Sequence, residues 1–253
     1  MPDDVDWDPN WWRKEKALSI ERQAAEAEAA ALALAGDSFL IVTEGTVTEP
    51  IYFKALRAAL HLSAVKVVVV PGDASDARHV IDSAVRRAEN LERRAKRGDL
   101  GIDEPMKYDQ VWAILDTDVP ERLQRWPDIV AYAAAKNVRL ASSTPCIEYW
   151  LLLHVRHTTA PLVNGTAAKN ALKEEIGVYS TNEDTTRVAI ANLLPTWPTA
   201  VQRAMQVREY HTAAATSAPA NPSTEVDRLA AALNYSAPIY ARKVHPSVRQ
   251  TNP

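Results

Sequence analysis

Two apolar runs in this chain stop on carboxylates, and the types and spacing of those acids suit a hard metal ion. The run "SFLIVTEG" closes on Glu44, and "YDQVWAILDTD" closes on Asp116 and Asp118. Two residues apart on an extended backbone, Asp116 and Asp118 share a side. Carboxylates gathered in a partly dry site repel and raise one another's pKa, a cost that a divalent cation relieves. All-oxygen donors point to Mg²⁺ or Mn²⁺, one ion or two. Glu44, Asp116 and Asp118 are therefore the expected metal ligands and catalytic carboxylates. Glu49 opens the next helix and Glu148 a later one; each reads either as a further catalytic acid or as a partner of the helix dipole. Ser143 reads as a phosphate contact or as a helix cap. Taken singly, each acid is equally at home in a solvated turn; the order in which they occur is what joins them.

The elements that must position these residues follow from the hydrophobic pattern. "SFLIVTEG", "AVKVVVVPGD" and "YDQVWAILDTD" carry apolar runs of strand length, and "VRLASSTP" reads as a fourth strand. Helical stretches separate them: "TEPIYFKALRAALH", with Thr48 as expected N-cap and Pro50 in its first turn; "ARHVIDSAVRRAENLERRAKRG"; and "ERLQRWPDIVAYAAAKN", with an expected break at Pro127. "CIEYWLLLHVRH" begins a further helix. Strands alternating with helices predict an α/β fold: a Rossmann-like, mostly parallel sheet of about four to five strands flanked by helices. Ligands of such a sheet gather outside the carboxyl ends of its strands, where Glu44, Asp116 and Asp118 lie. Residues 1–36 read as an acidic tail and an alanine-rich helical arm, 37–160 as the α/β domain, and 161–253 as a mainly helical C-terminal region. Within the last, "TTRVAIANLLPTWPTAVQRAMQV" reads as helix and "HTAAATSAPANPS" as an exposed linker.

Composition narrows the classes. Over 253 residues, 47% are hydrophobic and 24% charged, with a formal net charge of -3, which argues against a globally basic nucleic-acid binder but leaves room for a local basic groove. Arg86, Arg87, Arg93 and Arg94 on one helix are the candidate phosphate-binding groove, against the plainer reading of a solvated face; Arg122, Arg125 and Lys169 are scattered alternatives. A lone Cys146 forms no internal disulfide and, with no histidine motif beside it, reads as a small buried residue. His154 reads as core or rim. No stretch is apolar for long enough to span a bilayer, and "MPDDVDWDPNWW" is unlike a signal peptide. A cytoplasmic protein without a membrane association is the expectation.

Glu-Gly after a first strand and D-x-D after a later one resembles the Toprim domain of topoisomerases, primases and overcoming-lysogenization-defect nucleases. The longer signature D-x-D-x-x-G-E is not met, since Val119-Pro120-Glu121 follows Asp118. A wider resemblance joins "LIVTEGTVTEPIYFKAL", "YDQVWAILDTD", "SSTPCIEYWLLLH" and "NPSTEVDRLAAAL", whose order and spacing are similar to those of the RloB-like family, over roughly Phe39 to Leu233. That resemblance implies a Toprim-related fold, a role in bacterial defence against phage, an ATPase partner, and metal-dependent cleavage of nucleic acid. Two departures stand out: Tyr179 is followed by Ser180-Thr181-Asn182 where family members carry a lysine, and Ile147 replaces a phenylalanine. A metal-dependent nuclease, homo-oligomeric or not, is the reading, with a non-catalytic Toprim-like adaptor or nucleotide-binding subunit as the alternative.

Overall fold

The computed structural model describes residues 37–62, 67–71, 76–101, 104–118 and 120–243. The helical arm expected within 1–36 and the tail from 244 lie outside the described residues. Strands β1 (Phe39–Thr43), β2 (Val67–Pro71), β3 (Gln110–Asp116) and β4 (Arg139–Thr144) alternate with helices α1 (Thr48–Ala59), α2 (Ala77–Lys96), α3 (Pro120–Gln124) and α4 (Trp126–Ala135). Helices α5 (Ile147–Leu153), α6 (Gly165–Ile176), α7 (Glu183–Leu193) and α8 (Trp197–Ala213) follow, then the two-residue strand β5 (Ser223–Thr224) and α9 (Val226–Ser236). The sheet runs β2-β1-β3-β4-β5, with β1 to β4 parallel and β5 antiparallel to β4. The mostly parallel α/β sheet read from the hydrophobic runs is thus what the chain forms.

Period-two alternation splits β1, β3 and β4 between two cores. Phe39, Ile41, Trp112, Ile114 and Ala141 face one way and pack with Tyr52, Phe53 and Leu56 of α1, Tyr149 and Trp150 of α5, and helices α8 and α9. Leu40, Val42, Ala113 and Leu115 face the other way, against Val80, Ile81 and Ala84 of α2 and Trp126, Ile129 and Ala133 of α4. Each such large apolar side chain contributes about 1.5–3 kcal/mol by leaving water. The first core holds β1 rigidly between two parallel neighbours, and β1 is buried at every position. The chain leaves β1 for β2 on one side, while β3 pairs on the other. The carboxyl ends of β1 and β3 therefore form a topological switch point, the place where an open parallel sheet leaves a crevice for ligands.

Four local expectations are corrected. The helical break after β3 falls at Arg125, between α3 and α4; Pro127 lies in the first turn of α4, where its missing N–H costs nothing. Val47, not Thr48, occupies the N-cap position of α1, and no side chain caps it. Thr48 is buried, and its hydroxyl meets Tyr179 instead. The stretch "TTRVAIANLLPTWPTAVQRAMQV" is two helices, because Pro195 lies in a 3-10 turn between α7 and α8. The stretch read as a linker is exposed only in its middle: α8 runs to Ala213, and Ser223 joins the sheet.

Candidate functional site

Glu44 is the first residue past β1, and its backbone N–H still donates to the Ile114 carbonyl at 3.1 Å. Its carboxylate reaches across to β3, where Oε2 accepts from the Asp116 N–H at 3.2 Å. Asp116 ends β3 in register with Ser143 of β4, so it sits at the middle of the switch point. Alternation turns its side chain toward α5, and Oδ1 accepts from the Ile147 N–H at 2.9 Å. A helix N-terminus thus supplies one neutral donor to Asp116.

Two more acids enter from the first turns of helices on the same face of the sheet. Glu49 of α1 is only 4% exposed, and its Oε1 accepts from the Gly45 N–H at 3.1 Å. The carboxylate folds so closely over Gly45 that a Cβ there would fall on it, which explains the glycine after Glu44. Glu148 of α5 is 2% exposed and accepts from the Tyr179 hydroxyl at 3.0 Å. Tyr179 is in turn 3.3 Å from the Thr48 hydroxyl, so this tyrosine ties α1 to α5 behind the acids. Asp118 is exposed, and its carboxylate lies against Gly165 at the start of α6, where a Cβ would come within 2.9 Å of Oδ2.

The electrostatics record this convergence. Burial is the largest cause that lifts Asp116 well above its usual value; the charges of Glu49, Glu148, Glu44 and Asp118 add to it in that order. Glu49 is pushed up to about 7, mainly by burial, with Glu148 and Glu44 adding while backbone N–H groups pull the other way. Burial, followed by the charges of Glu148 and Asp116, also drives the Cys146 thiol upward, so it is no thiolate nucleophile. The other four sequence-derived acids thus all influence one centre, Asp116. Their full positive counter-charge is Arg122 of α3, which grips Glu44 as a fork: NH1 to Oε2 at 2.7 Å and NH2 to Oε1 at 2.9 Å. Arg122 also donates to the Asp116 carbonyl.

Among the described residues, no three His, Cys, Asp or Glu side chains stand close enough to hold an ion as they are. The reason is visible: Glu44 is turned to Arg122, Glu49 to Gly45 and Glu148 to Tyr179. In chemistry, the donors nevertheless fit a hard divalent cation. They are oxygen only, with Glu49 and Glu148 buried, and Glu49, Asp116 and Glu148 each accept from a neutral donor.

Of the remaining sequence-derived candidates, Ser143 stands beside Asp116 on the neighbouring strand but turns its hydroxyl to β5, and the α2 arginines lie on the other face of the sheet. Ser143 is 1% exposed and shares a 2.9 Å hydrogen bond with Thr224, tying β4 to β5. Arg86, Arg87, Arg93 and Arg94 ride on α2, which packs on the opposite face of the sheet. A crossover helix runs back against the strands, and twenty residues carry it about 30 Å. Arg94 therefore ends away from the acids, paired with Glu104 at 2.8 and 2.5 Å, and Arg93 lies 3.8 Å from Glu89. His154 is a structural residue. Its Nδ1–H donates to the Leu193 carbonyl at 2.8 Å, so its Nε2 accepts from the Tyr52 hydroxyl at 3.2 Å, and burial pushes it down to about 4. A separate cleft of about 730 Å³ lies between α4, β4 and α8; none of the five acids lines it.

Sequence reasoning named Arg122 only as a scattered cation, and it missed Tyr179 as the donor to Glu148. The available signal for the arginine was its place four residues past Asp118, on the helix that leaves β3. For the tyrosine there was none, because its contact spans 31 positions between separate elements.

The model of a protein family described as "RloB-like protein" matches residues 39–233, a span that includes β1, all five acids and α9. No curated protein and no solved structure matches.

Proposed function

The chain belongs to the RloB-like family, and on that premise we propose that it is a divalent-cation-dependent nuclease that hydrolyses phosphodiester bonds. The observation that carries the reading is the convergence of Glu44, Glu49, Asp116, Asp118 and Glu148 on a switch point, with a single guanidinium among them. Structural acids are seldom buried in such excess over their counter-charges.

Asp116, Asp118 and Glu44 would hold Mg²⁺ or Mn²⁺, with Glu49 and Glu148 beside them. A bound ion would supply a water of lowered pKa and charge stabilisation at the phosphate. This chain's residues would do the rest. Without an ion, burial keeps Glu49 near 7, so it would give up a proton when a cation enters and stand as a carboxylate beside it. Tyr179 fixes the rotamer of Glu148, and the Ile147 N–H fixes that of Asp116. The α2 arginines lie on the opposite face of the sheet, so phosphate contacts at the acids would come from elements nearer the strand ends.

A role in bacterial defence against phage, with nucleic acid as substrate and an ATPase as partner, belongs to the same proposal. No helix of the described residues is long and apolar enough to cross a membrane. The second reading is a non-catalytic adaptor, and the Arg122–Glu44 pair favours it, since a guanidinium already neutralises one expected ligand. Incubating the purified chain with DNA, tRNA and rRNA in Mg²⁺ or Mn²⁺, with and without its ATPase, separates the two. Cleavage that stops on chelation supports the nuclease. An inert protein that still binds its ATPase would establish the adaptor.

A further inference from the structure

Among the described residues, Glu44 alone of the five acids is answered by a full positive charge. The other contacts that fix this group come from neutral donors: the Gly45 N–H on Glu49, the Ile147 N–H on Asp116 and the Tyr179 hydroxyl on Glu148. Arg122 spans both oxygens of Glu44 with two N–H groups, the strongest geometry that a carboxylate and a side chain can adopt. The pair is not sealed in the core. The Glu44 side chain is 16% exposed and the Arg122 side chain 9%, so both reach the rim of the crevice. Arg122 is carried by α3, a helix of five residues that directly follows the β3 acids. Freeing Glu44 from this arginine gives up both bonds of the fork, so only a stronger partner for that carboxylate displaces it.

We propose that Arg122 is a built-in counter-cation, holding the Glu44 carboxylate while no ion is bound, and that a divalent cation must displace it to use Glu44 as a ligand. The proposal rests on the cation-site reading above. Its physical basis is competition for one carboxylate. A guanidinium fork and a metal ion take up the same lone pairs, and two cations on one carboxylate repel. Arg122 thereby sets a threshold for ion entry and keeps the acid group from flying apart when it is empty. It acts as a positioning residue for Glu44.

Mn²⁺ titration of the full chain, read by calorimetry and by thermal melting, tests this without recourse to catalysis. Arg122→Gln should melt lower than the wild type without ion, yet bind Mn²⁺ more tightly by about tenfold, an ordinary size for coupling between competing ligands. Arg122→Lys keeps the charge but loses the fork, and should fall between the two; it also carries the test should Arg122→Gln not fold. In the double variant Arg122→Gln/Glu44→Gln the gain in affinity should vanish. A gain that survives the loss of Glu44 overturns the proposal. So does equal affinity in wild type and Arg122→Gln, in which case the cation reading stands and only the role of Arg122 falls. Absence of Mn²⁺ binding in all of these proteins overturns both.

Discussion

Two acids in this chain, the half-buried Asp116 and the buried Asp227, have opposite surroundings. Asp227 in α9 is 2% exposed and lies against the Arg208 guanidinium, which donates to both of its oxygens. The charge is answered in place, and the pair pins α9 to α8. Asp116 receives one backbone N–H and is ringed by four other carboxylates. A buried acid matched to a cation is a structural joint, whereas an acid left in excess holds energy that a ligand can release. The site assignment rests on that difference more than on the identity of any one residue.

The largest expected effect separates the two acids by activity. Asp116→Asn should keep the fold but lower cation-dependent cleavage by about 100-fold or more, measured on whichever nucleic acid the wild type cuts. Asp227→Asn should do the reverse. It leaves Arg208 without its counter-charge and should cost about 3 kcal/mol in urea unfolding, with the remaining folded protein cutting normally. If Asp227→Asn were as inactive as Asp116→Asn while folded, the distinction would collapse.

The next effect reads the excess charge through pH. Burial holds Glu49 near 7 against an ordinary 4.5, so between these values the folded chain binds a proton that the unfolded chain has released. Stability from that proton is fully present below about 4.5 and is lost as pH rises through 7. Glu49→Gln keeps an acceptor for the Gly45 N–H and removes the charge. It should stabilise the ion-free protein by about 2 kcal/mol at pH 8 and by almost nothing at pH 4.5. Urea melts at the two pH values check this; a constant difference would mean that Glu49 is not strained. Gly45→Ala should cost about 1 kcal/mol or more, because the new Cβ pushes the Glu49 carboxylate from its bed. The smallest effect is at Ser143. Ser143→Ala loses one hydrogen bond to Thr224, about 1 kcal/mol, and should leave KM unchanged; a raised KM would return Ser143 to the substrate.

Much of this was legible in the chain itself, for reasons that differ by residue. The parallel sheet was legible because three of its four long strands are largely apolar runs, and a run ending on Glu44 or Asp116 marks where the strand leaves the core. Glu49 and Glu148 were legible as types but not as roles, because a first-turn glutamate looks the same whether it faces water or the sheet. Burial decides between these, and it depends on which helix face the core takes. The place of the α2 arginines was not legible, because a charge run says nothing about which face of the sheet a crossover helix takes. Arg122 and Tyr179 act through contacts spanning 78 and 31 positions, which local pattern cannot encode.

The most direct test of the central claim is a calorimetric titration of Mn²⁺ into the full chain near pH 7.5, repeated in two buffers of different ionisation enthalpy and with Asp116→Asn. A cation entering this acid group should bind saturably and displace protons from Asp116 and Glu49, both of which hold them more tightly than ordinary carboxyls. The account predicts an observed enthalpy that differs between the buffers, and binding that disappears in Asp116→Asn. Binding that survives Asp116→Asn, or no binding to the wild type, would contradict it.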